Sequence, residues 1–262
     1  MIDINQSITW LINEKYGGKM DKMAFADIAR LRAGEPVDYV IGYKKFLGCK
    51  IDLRYKPLIP RDETEFWVQQ VIKEIGTSDV PKLWDIGSPE VLDMFAGSGC
   101  IGIAVLKNVL DSHCDFVDID ENCLKQIELN LKINKILKHR YRIIKSDVFH
   151  LLSTLGVDSR WYDCIFANPP YINRKDTKKV QKSALFFEPK KALFARDNGL
   201  FLIKKFFRQA KGYLAKKGKI YMEFGQSQKI DIERILKKFG YQDYKFYKDQ
   251  FGKWRYVEIT TF

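Results

Sequence analysis

The stretch that decides the fold is Val91-Leu92-Asp93-Met94-Phe95-Ala96-Gly97-Ser98-Gly99-Cys100-Ile101-Gly102. It opens with a short apolar run, as in a buried strand, and a helical pattern follows over about 100–110. The glycines between them let the backbone turn sharply and let a ligand approach, because no Cβ stands in the way. Open α/β sheets bind ligands at the carboxyl ends of their strands. The stretch therefore predicts a ligand-binding loop, although a tight turn without a ligand could use the same glycines.

Strand and helix patterns alternate from residue 90 onward. Strands are predicted over 90–95, 115–119, 142–145, 162–167, 219–224, 243–248 and 255–261, and helices over 100–110, 121–134, 199–215 and 229–239. Such alternation indicates a parallel sheet covered by helices on both faces. The last two strands have only a short connection, which indicates an antiparallel hairpin at one edge. The predicted fold class is α/β, with a Rossmann-like sheet of seven strands.

Helical patterns also precede this unit. Apolar residues recur at helical spacing over 3–16, 20–33 and 62–76. In the third helix, Asp62 is a candidate N-cap, and Glu65 three residues later would complete a capping box. The sequence therefore predicts two short N-terminal helices and a helix that leads into the sheet.

A hairpin is predicted between these helices. Residues 39–42 and 46–53 have the apolar character of short strands, and 43–45 would lie between them. We divide the chain into three parts, which are a short helical region over 1–34, a β-hairpin linker over 35–60 and a main domain over 61–262.

Composition bounds the class of protein. The chain has 262 residues, of which 46% are hydrophobic, enough for a buried core. No apolar run approaches the roughly 20 residues that span a bilayer, and the N-terminus lacks the pattern of a signal peptide. We expect a cytoplasmic monomer that binds neither membrane nor metal. Reduced thiols are expected at the five cysteines, which are Cys49, Cys100, Cys114, Cys123 and Cys164.

The charge is strongly positive, at a formal +12. Such an excess favours polyanionic partners such as RNA, ribosomes or an acidic protein. Lysines cluster in two places, Lys175, Lys178, Lys179 and Lys182 in the first and Lys211, Lys216, Lys217 and Lys219 in the second. A solvated lysine-rich surface is the alternative to a specific anion-binding face.

Acidic residues that follow the second and third strands indicate which ligand the loop 95–99 binds. The loop lacks the patterns of dinucleotide and phosphate loops, whereas S-adenosylmethionine carries no phosphate and needs fewer glycines. Asp118 ends the second strand, where a carboxylate can accept both ribose hydroxyls, and Asp120 competes for that role. After the third strand, Asp147 could accept from an adenine amino group while Val148 packs on the ring. Asp147 could equally be a helix N-cap.

The loop Asn168-Pro169-Pro170-Tyr171 is the most specific feature, and it follows the fourth strand at the same sheet edge. Two prolines fix φ and remove two donors, which leaves their carbonyls free to accept. The Asn168 side-chain oxygen and the Pro169 carbonyl could each take one hydrogen of a planar NH₂ group. That would aim the nitrogen at a sulfonium methyl group, and Tyr171 could stack on the planar group. A rigid turn is the alternative.

These residues resemble class I S-adenosylmethionine-dependent methyltransferases and, more narrowly, the release factor glutamine methyltransferases, over roughly residues 35–256. Beside Asn-Pro-Pro-Tyr, the motifs that carry the resemblance are Glu35-Pro36-Val37-Asp38-Tyr39-Val40-Ile41-Gly42, Phe46-Leu47-Gly48, Leu58-Ile59-Pro60-Arg61-Asp62-Glu63-Thr64-Glu65, Phe187-Glu188-Pro189-Lys190-Lys191-Ala192-Leu193, Asp197-Asn198-Gly199-Leu200, Glu223-Phe224-Gly225 and Lys248-Asp249-Gln250-Phe251-Gly252-Lys253.

The resemblance implies an enzyme that methylates N5 of the glutamine in the Gly-Gly-Gln motif of peptide chain release factors, with S-adenosyl-L-methionine as the methyl donor. It implies that the residues lining the cofactor are Thr64, Phe95, Ala96, Gly97, Ser98, Gly99, Asp118, Asp147, Val148 and Asn168. It further implies that Asn168, Pro169, Pro170 and Tyr171 bind the glutamine amide.

Three departures from the family pattern stand out. Phe95 occupies a position where the family usually has glycine, and Asp62 replaces the second proline of its Ile-Pro-Arg-Pro motif. About 34 residues precede Glu35, fewer than in the helical domain that the family uses in docking. The motifs leave open whether Arg61 or Glu63 takes part in catalysis.

Two other functions fit parts of the pattern. An RNA or DNA adenine N6-methyltransferase would present an NH₂ group to the same loop, and the positive charge favours it. A catalytically inactive RNA- or ribosome-binding module on the same fold is the third reading, against which the intact Asn-Pro-Pro-Tyr loop argues.

Overall fold

A computed structural model describes residues 3–76, 88–152 and 161–260. The helices are α1 Ile4–Tyr16, α2 Lys22–Arg32, α3 Val37–Ile41, α4 Asp62–Gly76, α5 Cys100–Asn108, α6 Glu121–Ile133, α7 Lys182–Phe187, α8 Lys190–Leu193, α9 Phe201–Ala210 and α10 Lys229–Lys238. The strands are β1 Tyr43–Phe46, β2 Cys49–Asp52, β3 Glu90–Met94, β4 His113–Asp118, β5 Tyr141–Lys145, β6 Tyr162–Ala167, β7 Ile172–Asn173, β8 Phe194–Ala195, β9 Leu214–Glu223, β10 Asp243–Lys248 and β11 Trp254–Thr260.

The main sheet has seven strands in the order β10-β11-β9-β6-β3-β4-β5. Strands β9, β6, β3, β4 and β5 run parallel, and β11 pairs antiparallel with both β9 and β10. The predicted seven-stranded sheet with an antiparallel hairpin at one edge is confirmed. Parallel strands end at one edge, so the loops after β3, β4, β5 and β6 are neighbours there.

Helices cover both faces of the sheet, as predicted. Successive side chains of a strand point to opposite faces. Val91 and Phe166 accordingly belong to the core under α4, α5 and α6. Leu92 and Ile165 belong to the core under α9 and α10.

Gly102 brings α5 against the sheet. A Cβ at this position would lie 2.4 Å from the Phe116 ring and 2.8 Å from the Cys114 sulfur, both on β4. The absent side chain lets the helix approach the strands closely. Helix α5 is buried from Cys100 to Leu106, and its start fixes the glycine loop over the strand ends.

The two N-terminal helices are confirmed, but the expected strand at 39–42 is wrong. These residues lie in or just after helix α3, which begins after Pro36 and ends at Gly42 with φ 97°. Val40 and Ile41 are β-branched, which favours a strand by propensity. Both side chains pack with Leu11 and Leu31 of α1 and α2, and this burial overrides the propensity.

The predicted hairpin exists, but its turn lies at Leu47-Gly48 rather than at 43–45. Three amide side chains, two in α6 and one directly after it, accept hydrogen bonds from backbone amides in the hairpin and just beyond it. Asn134 Oδ1 accepts from Lys50 N at 3.0 Å and Asn130 Oδ1 from Asp52 N at 2.8 Å, while Gln126 Oε1 accepts from Tyr55 N at 2.8 Å. The hairpin is therefore fastened to a helix of the main sheet.

The capping box expected at the start of α4 is absent. Glu65 Oε1 accepts from the amide of Leu47 at 2.7 Å, in the hairpin turn, and Asp62 pairs with Lys44 Nζ at 2.6 Å. Both carboxylates are taken by the hairpin, so this helix start depends on tertiary contacts. Further along, the helix predicted over 199–215 is shorter, because a 3₁₀ turn at Lys211–Tyr213 leads into β9 at Leu214.

All five cysteines are unpaired. In the described ranges, no helix is both long enough and apolar enough to cross a bilayer.

Candidate active site

Two cavities meet at the carboxyl edge of the parallel strands. The smaller, of about 140 Å³, is bounded by the glycine loop and the ends of β4 and β5. The larger, of about 440 Å³, lies beyond the Asn-Pro-Pro-Tyr loop. The residues that line both are Leu58, Pro60, Arg61, Asn168 and Ala192. Asn168 therefore lies on the wall between two spaces.

The glycine loop follows a tight path. Phe95, Gly97 and Gly99 have φ of 60°, 56° and 77°. A positive φ suits glycine but is strained for phenylalanine, which gives a physical reason why glycine suits position 95. Phe95, Ala96, Gly97 and Ser98 line the smaller cavity. Gly99 lies behind them, where a Cβ would meet Ile103 and Ile127 at 3.2 Å.

Asp118 is tied to this loop. Its Oδ2 accepts from Gly97 N at 2.9 Å, and its Oδ1 accepts from Asp120 N at 2.9 Å. Burial raises the pKa of the Asp118 carboxyl above its usual value, and the two amides oppose that rise. Asp120 also lines the cavity, but its carboxylate pairs with Lys191 Nζ at 2.6 Å and caps α6 through Asn122 N. Both carboxylates therefore line the cavity, and Asp118 is the one that the glycine loop holds.

Asp147 and Val148 line the same cavity below the end of β5. Asp147 is exposed and pairs with Lys205 Nζ at 2.6 Å. No helix begins in the described residues directly after it, so Asp147 is not a helix N-cap. Val148 is buried with φ 56°. A positive φ at a β-branched residue is uncommon, and such strain concentrates at functional sites.

The Asn168 side chain is held by a chain of hydrogen bonds. Asn168 Nδ2 donates to Thr64 Oγ1 at 3.4 Å, and Thr64 Oγ1 donates to Glu223 Oε2 at 2.7 Å. Thr64 and Glu223 are both buried. A hydroxyl has one proton, and Thr64 gives it to Glu223. Its remaining lone pairs can only accept, so the NH₂ of Asn168 must face Thr64. The Asn168 Oδ1 is then left for the cavities.

Tyr171 is anchored to the same carboxylate. Its Oη donates to Glu223 Oε1 at 3.1 Å, while Arg255 Nη1 donates to the Tyr171 oxygen at 3.5 Å. Burial raises the pKa of the Tyr171 phenol, so the group stays a donor at neutral pH. Trp67 Nε1 gives Glu223 a third donor at 2.8 Å. Glu223 thus accepts hydrogen bonds from three side chains, those of Thr64, Trp67 and Tyr171.

Several curated relatives of this chain carry the same name. The release factor glutamine methyltransferase of Bacteroides thetaiotaomicron is 34% identical, over 86% of this chain and 76% of that protein. The Streptococcus pneumoniae protein of the same name is 33% identical, over 88% and 76%. This chain belongs to the release factor glutamine methyltransferase family. The resemblance drawn from the motifs is thereby confirmed.

Other comparisons agree on the fold of this methyltransferase. A family model described as "Conserved hypothetical protein 95" matches residues 78–205. The hMettl16 catalytic domain, solved with an RNA hairpin, has a TM-score of 0.59 at 16% identity, over 82% of this chain and 76% of that chain. A methyltransferase complexed with SAH has a TM-score of 0.56 at 13% identity, over 84% and 55%. These structural likenesses extend to the fold alone.

In this methyltransferase, Glu188 holds the Ile-Pro-Arg segment in place through two contacts. Glu188 Oε1 pairs with Arg61 Nη2 at 2.6 Å, and Oε2 accepts from Ile59 N at 3.1 Å. Arg61 thus has a buried partner, whereas Glu63 lies 4.0 Å from Arg255 at the rim of the larger cavity. Arg61 and Glu188 fix the segment that carries Thr64 toward the site.

The sequence indicated no role for three residues that shape the Asn-Pro-Pro-Tyr loop. Glu223 anchors Thr64 and Tyr171, as described above. Gln228 Nε2 donates to the Tyr171 carbonyl at 3.0 Å, and a Cβ at Gly199 would lie only 2.0 Å from that carbonyl oxygen. Two signals could have identified Glu223, which ends a buried strand at the carboxyl edge of the parallel sheet and opens the family motif Glu223-Phe224-Gly225.

Proposed function

We propose that this methyltransferase transfers a methyl group from S-adenosyl-L-methionine to N5 of the glutamine in the Gly-Gly-Gln motif of peptide chain release factors, and so modulates translation termination. The observation that carries the proposal is that Asn168 lies between two cavities, with Oδ1 free to accept. The names of the curated relatives support the substrate.

The smaller cavity suits the cofactor. Asp118 offers a carboxylate for a ribose diol, and Val148 and Phe95 offer apolar surface for adenine and the methionine chain. When bound, S-adenosylmethionine supplies an electrophilic methyl group on sulfur. Binding of SAH by a protein of the same fold supports this use of the cavity.

The larger cavity suits the glutamine. Pro169 and Tyr171 line it together with Asn168, whereas Pro170 lines the smaller cavity. We assign Asn168 Oδ1 and the Pro169 carbonyl to the two hydrogens of the substrate NH₂ group. Both acceptors raise electron density on the amide nitrogen and aim it across the wall, which is catalysis by positioning and fixed dipoles. The Tyr171 ring, held through Glu223, packs on the planar amide.

The test is transfer of labelled methyl from S-adenosylmethionine to three purified substrates. These are a release factor, the same factor with the Gly-Gly-Gln glutamine changed to alanine, and total RNA. Label on the first alone is expected. Label on RNA would instead support adenine N6-methylation by the same loop, and equal label on both factors would move the modification to another residue.

A further inference from the structure

A group of exposed basic side chains lies on a segment that lines the larger cavity. We call it the basic lip, and its members are Arg174, Lys175, Lys178, Lys182 and Lys190. All are exposed, and none has an ion-pair partner among the described residues. The segment that carries them runs between β7 and β8. It also lines the cavity, through Val180, Gln181, Ala184, Ala192 and Leu193.

The second lysine cluster of the sequence lies elsewhere. Leu214, at the start of β9, is in register with Tyr162, the first residue of β6. Lys216 and Lys217 therefore lie near the opposite edge of the sheet from Asn168, which follows the last residue of β6. Lys219, in the same cluster, pairs with Glu258 at 2.8 Å. Of the two clusters, only the first borders the site.

Cations deeper in the larger cavity are neutralised. Lys44 pairs with Asp62 at 2.6 Å, and Arg255 pairs with Asp249 at 2.9 Å. Arg61 pairs with Glu188. The unpaired positive charge near this cavity is therefore carried by the segment between β7 and β8, which a bound protein would meet. A cavity that is bordered by charges of one sign attracts an oppositely charged partner and raises the rate at which that partner associates.

Two exposed aromatic rings lie on segments that line the same cavity. Phe186, in α7, is 81% exposed, and Phe251, which lines the cavity, is 64% exposed. Exposed rings next to unpaired cations are typical of interaction surfaces. Their exposure fits contacts with residues that flank the modified side chain.

We propose that the basic lip docks an acidic stretch of the release factor that flanks the methylated glutamine, with Phe186 and Phe251 contacting apolar residues of that stretch. The proposal rests on the proposed function and names the charge of its partner. A polyanionic RNA is the competing occupant, since aromatic rings and lysines also bind single strands. The family membership and the position of the lip around the glutamine cavity favour the protein.

The experiment compares two double charge reversals, Lys178→Glu with Lys182→Glu and Lys216→Glu with Lys217→Glu. Both change the net charge equally, and all four side chains are exposed. Initial rates of methyl transfer to a whole release factor are measured at low and at high salt. At low salt we expect the lip variant to lose about tenfold in kcat/KM and the control variant less than about twofold. At high salt the lip variant should approach the wild type, because screening removes the attraction.

The outcomes separate this proposal from the function on which it rests. Equal kcat/KM for the two variants at low salt would overturn docking by the lip, while transfer by the wild type would leave the function intact. Loss of RNA binding by the lip variant, with transfer to the factor unaltered, would assign the lip to RNA and also overturn the proposal. No transfer by the wild-type protein would overturn the function, and the docking proposal with it.

Discussion

The hydroxyl of Thr64 donates to the carboxylate of Glu223 across 2.7 Å, between two buried side chains that lie 159 residues apart. This single bond decides which end of the Asn168 amide faces the substrate. Because Thr64 has no second proton, it presents only lone pairs to Asn168. The acceptor oxygen required for an NH₂ substrate is thus selected by residues outside the Asn-Pro-Pro-Tyr loop.

The orientation of Asn168 can be tested with Thr64→Val and Thr64→Ser. Valine keeps the shape of threonine but removes the acceptor for Asn168 Nδ2, and we expect kcat to fall about tenfold with a smaller change in KM. Serine keeps the hydroxyl and should restore kcat to within about threefold of the wild type. Steady-state kinetics with a release factor as substrate measure kcat and KM for both variants. Equal kcat for the two variants would remove the orienting role.

Asn168→Ala removes the acceptor itself. We expect transfer to slow by two to four orders of magnitude, roughly 3–5 kcal/mol of transition-state stabilisation. Cofactor affinity should persist, because Asp118 and the glycine loop are untouched. Single-turnover rates and calorimetric titration with S-adenosylmethionine measure the two quantities separately. A rate close to that of the wild type would show that another group accepts from the substrate nitrogen.

Asp118 should make cofactor binding depend on pH. Burial raises its pKa, and only the ionised carboxylate can accept both from Gly97 and from a ribose diol. Affinity should therefore weaken as pH falls, beginning above the usual titration range of aspartate. Asp118→Asn should bind more weakly at neutral pH and lose this dependence. Calorimetric titration with S-adenosylmethionine at a series of pH values measures both affinities. Unaltered affinity in Asp118→Asn would move the ribose role to Asp120.

Asp93 should make stability fall with rising pH. Complete burial raises its pKa to about 8, despite the hydrogen bond that it accepts from Gly102 N at 2.9 Å. The folded chain holds this proton up to a higher pH than the unfolded chain does. The wild type should therefore lose up to about 1.4 kcal/mol per pH unit between the two pKa values.

Asp93→Asn isolates this effect, because asparagine can accept from Gly102 but does not titrate in this range. The stability of the variant relative to the wild type should rise from pH 5 to about pH 8 and then level off. Urea denaturation at a series of pH values measures the difference. A difference that is independent of pH would mean that Asp93 is ionised in the folded protein.

The sequence predicts the sheet and the glycine turn after β3 well, because both depend on local patterns. The glycines after β3, the carboxylate at Asp118 and the prolines after β6 are contiguous signals, and each follows a strand whose carboxyl end lies at the common edge. Where tertiary contacts outweigh local preference, prediction fails. Val40 and Ile41 have strand propensity but lie in a helix, and Glu65 serves the hairpin turn instead of a cap.

The network behind Asn168 could not be predicted for a different reason. Thr64, Asn168 and Glu223 come from three distant parts of the chain, and no local pattern couples them. Thr64 was found only through a family motif. The sequence could not show how Asp118 and Asp120 differ, because their partners, the glycine loop and Lys191, are brought to them by the fold.

The most direct test of the central assignment is tandem mass spectrometry of a release factor after incubation with the protein and S-adenosylmethionine. We expect one added methyl group on the side-chain amide of the Gly-Gly-Gln glutamine, and far less of it with Asn168→Ala. A methyl group on a different residue of the factor, or on RNA adenine with the factor unmodified, would contradict it.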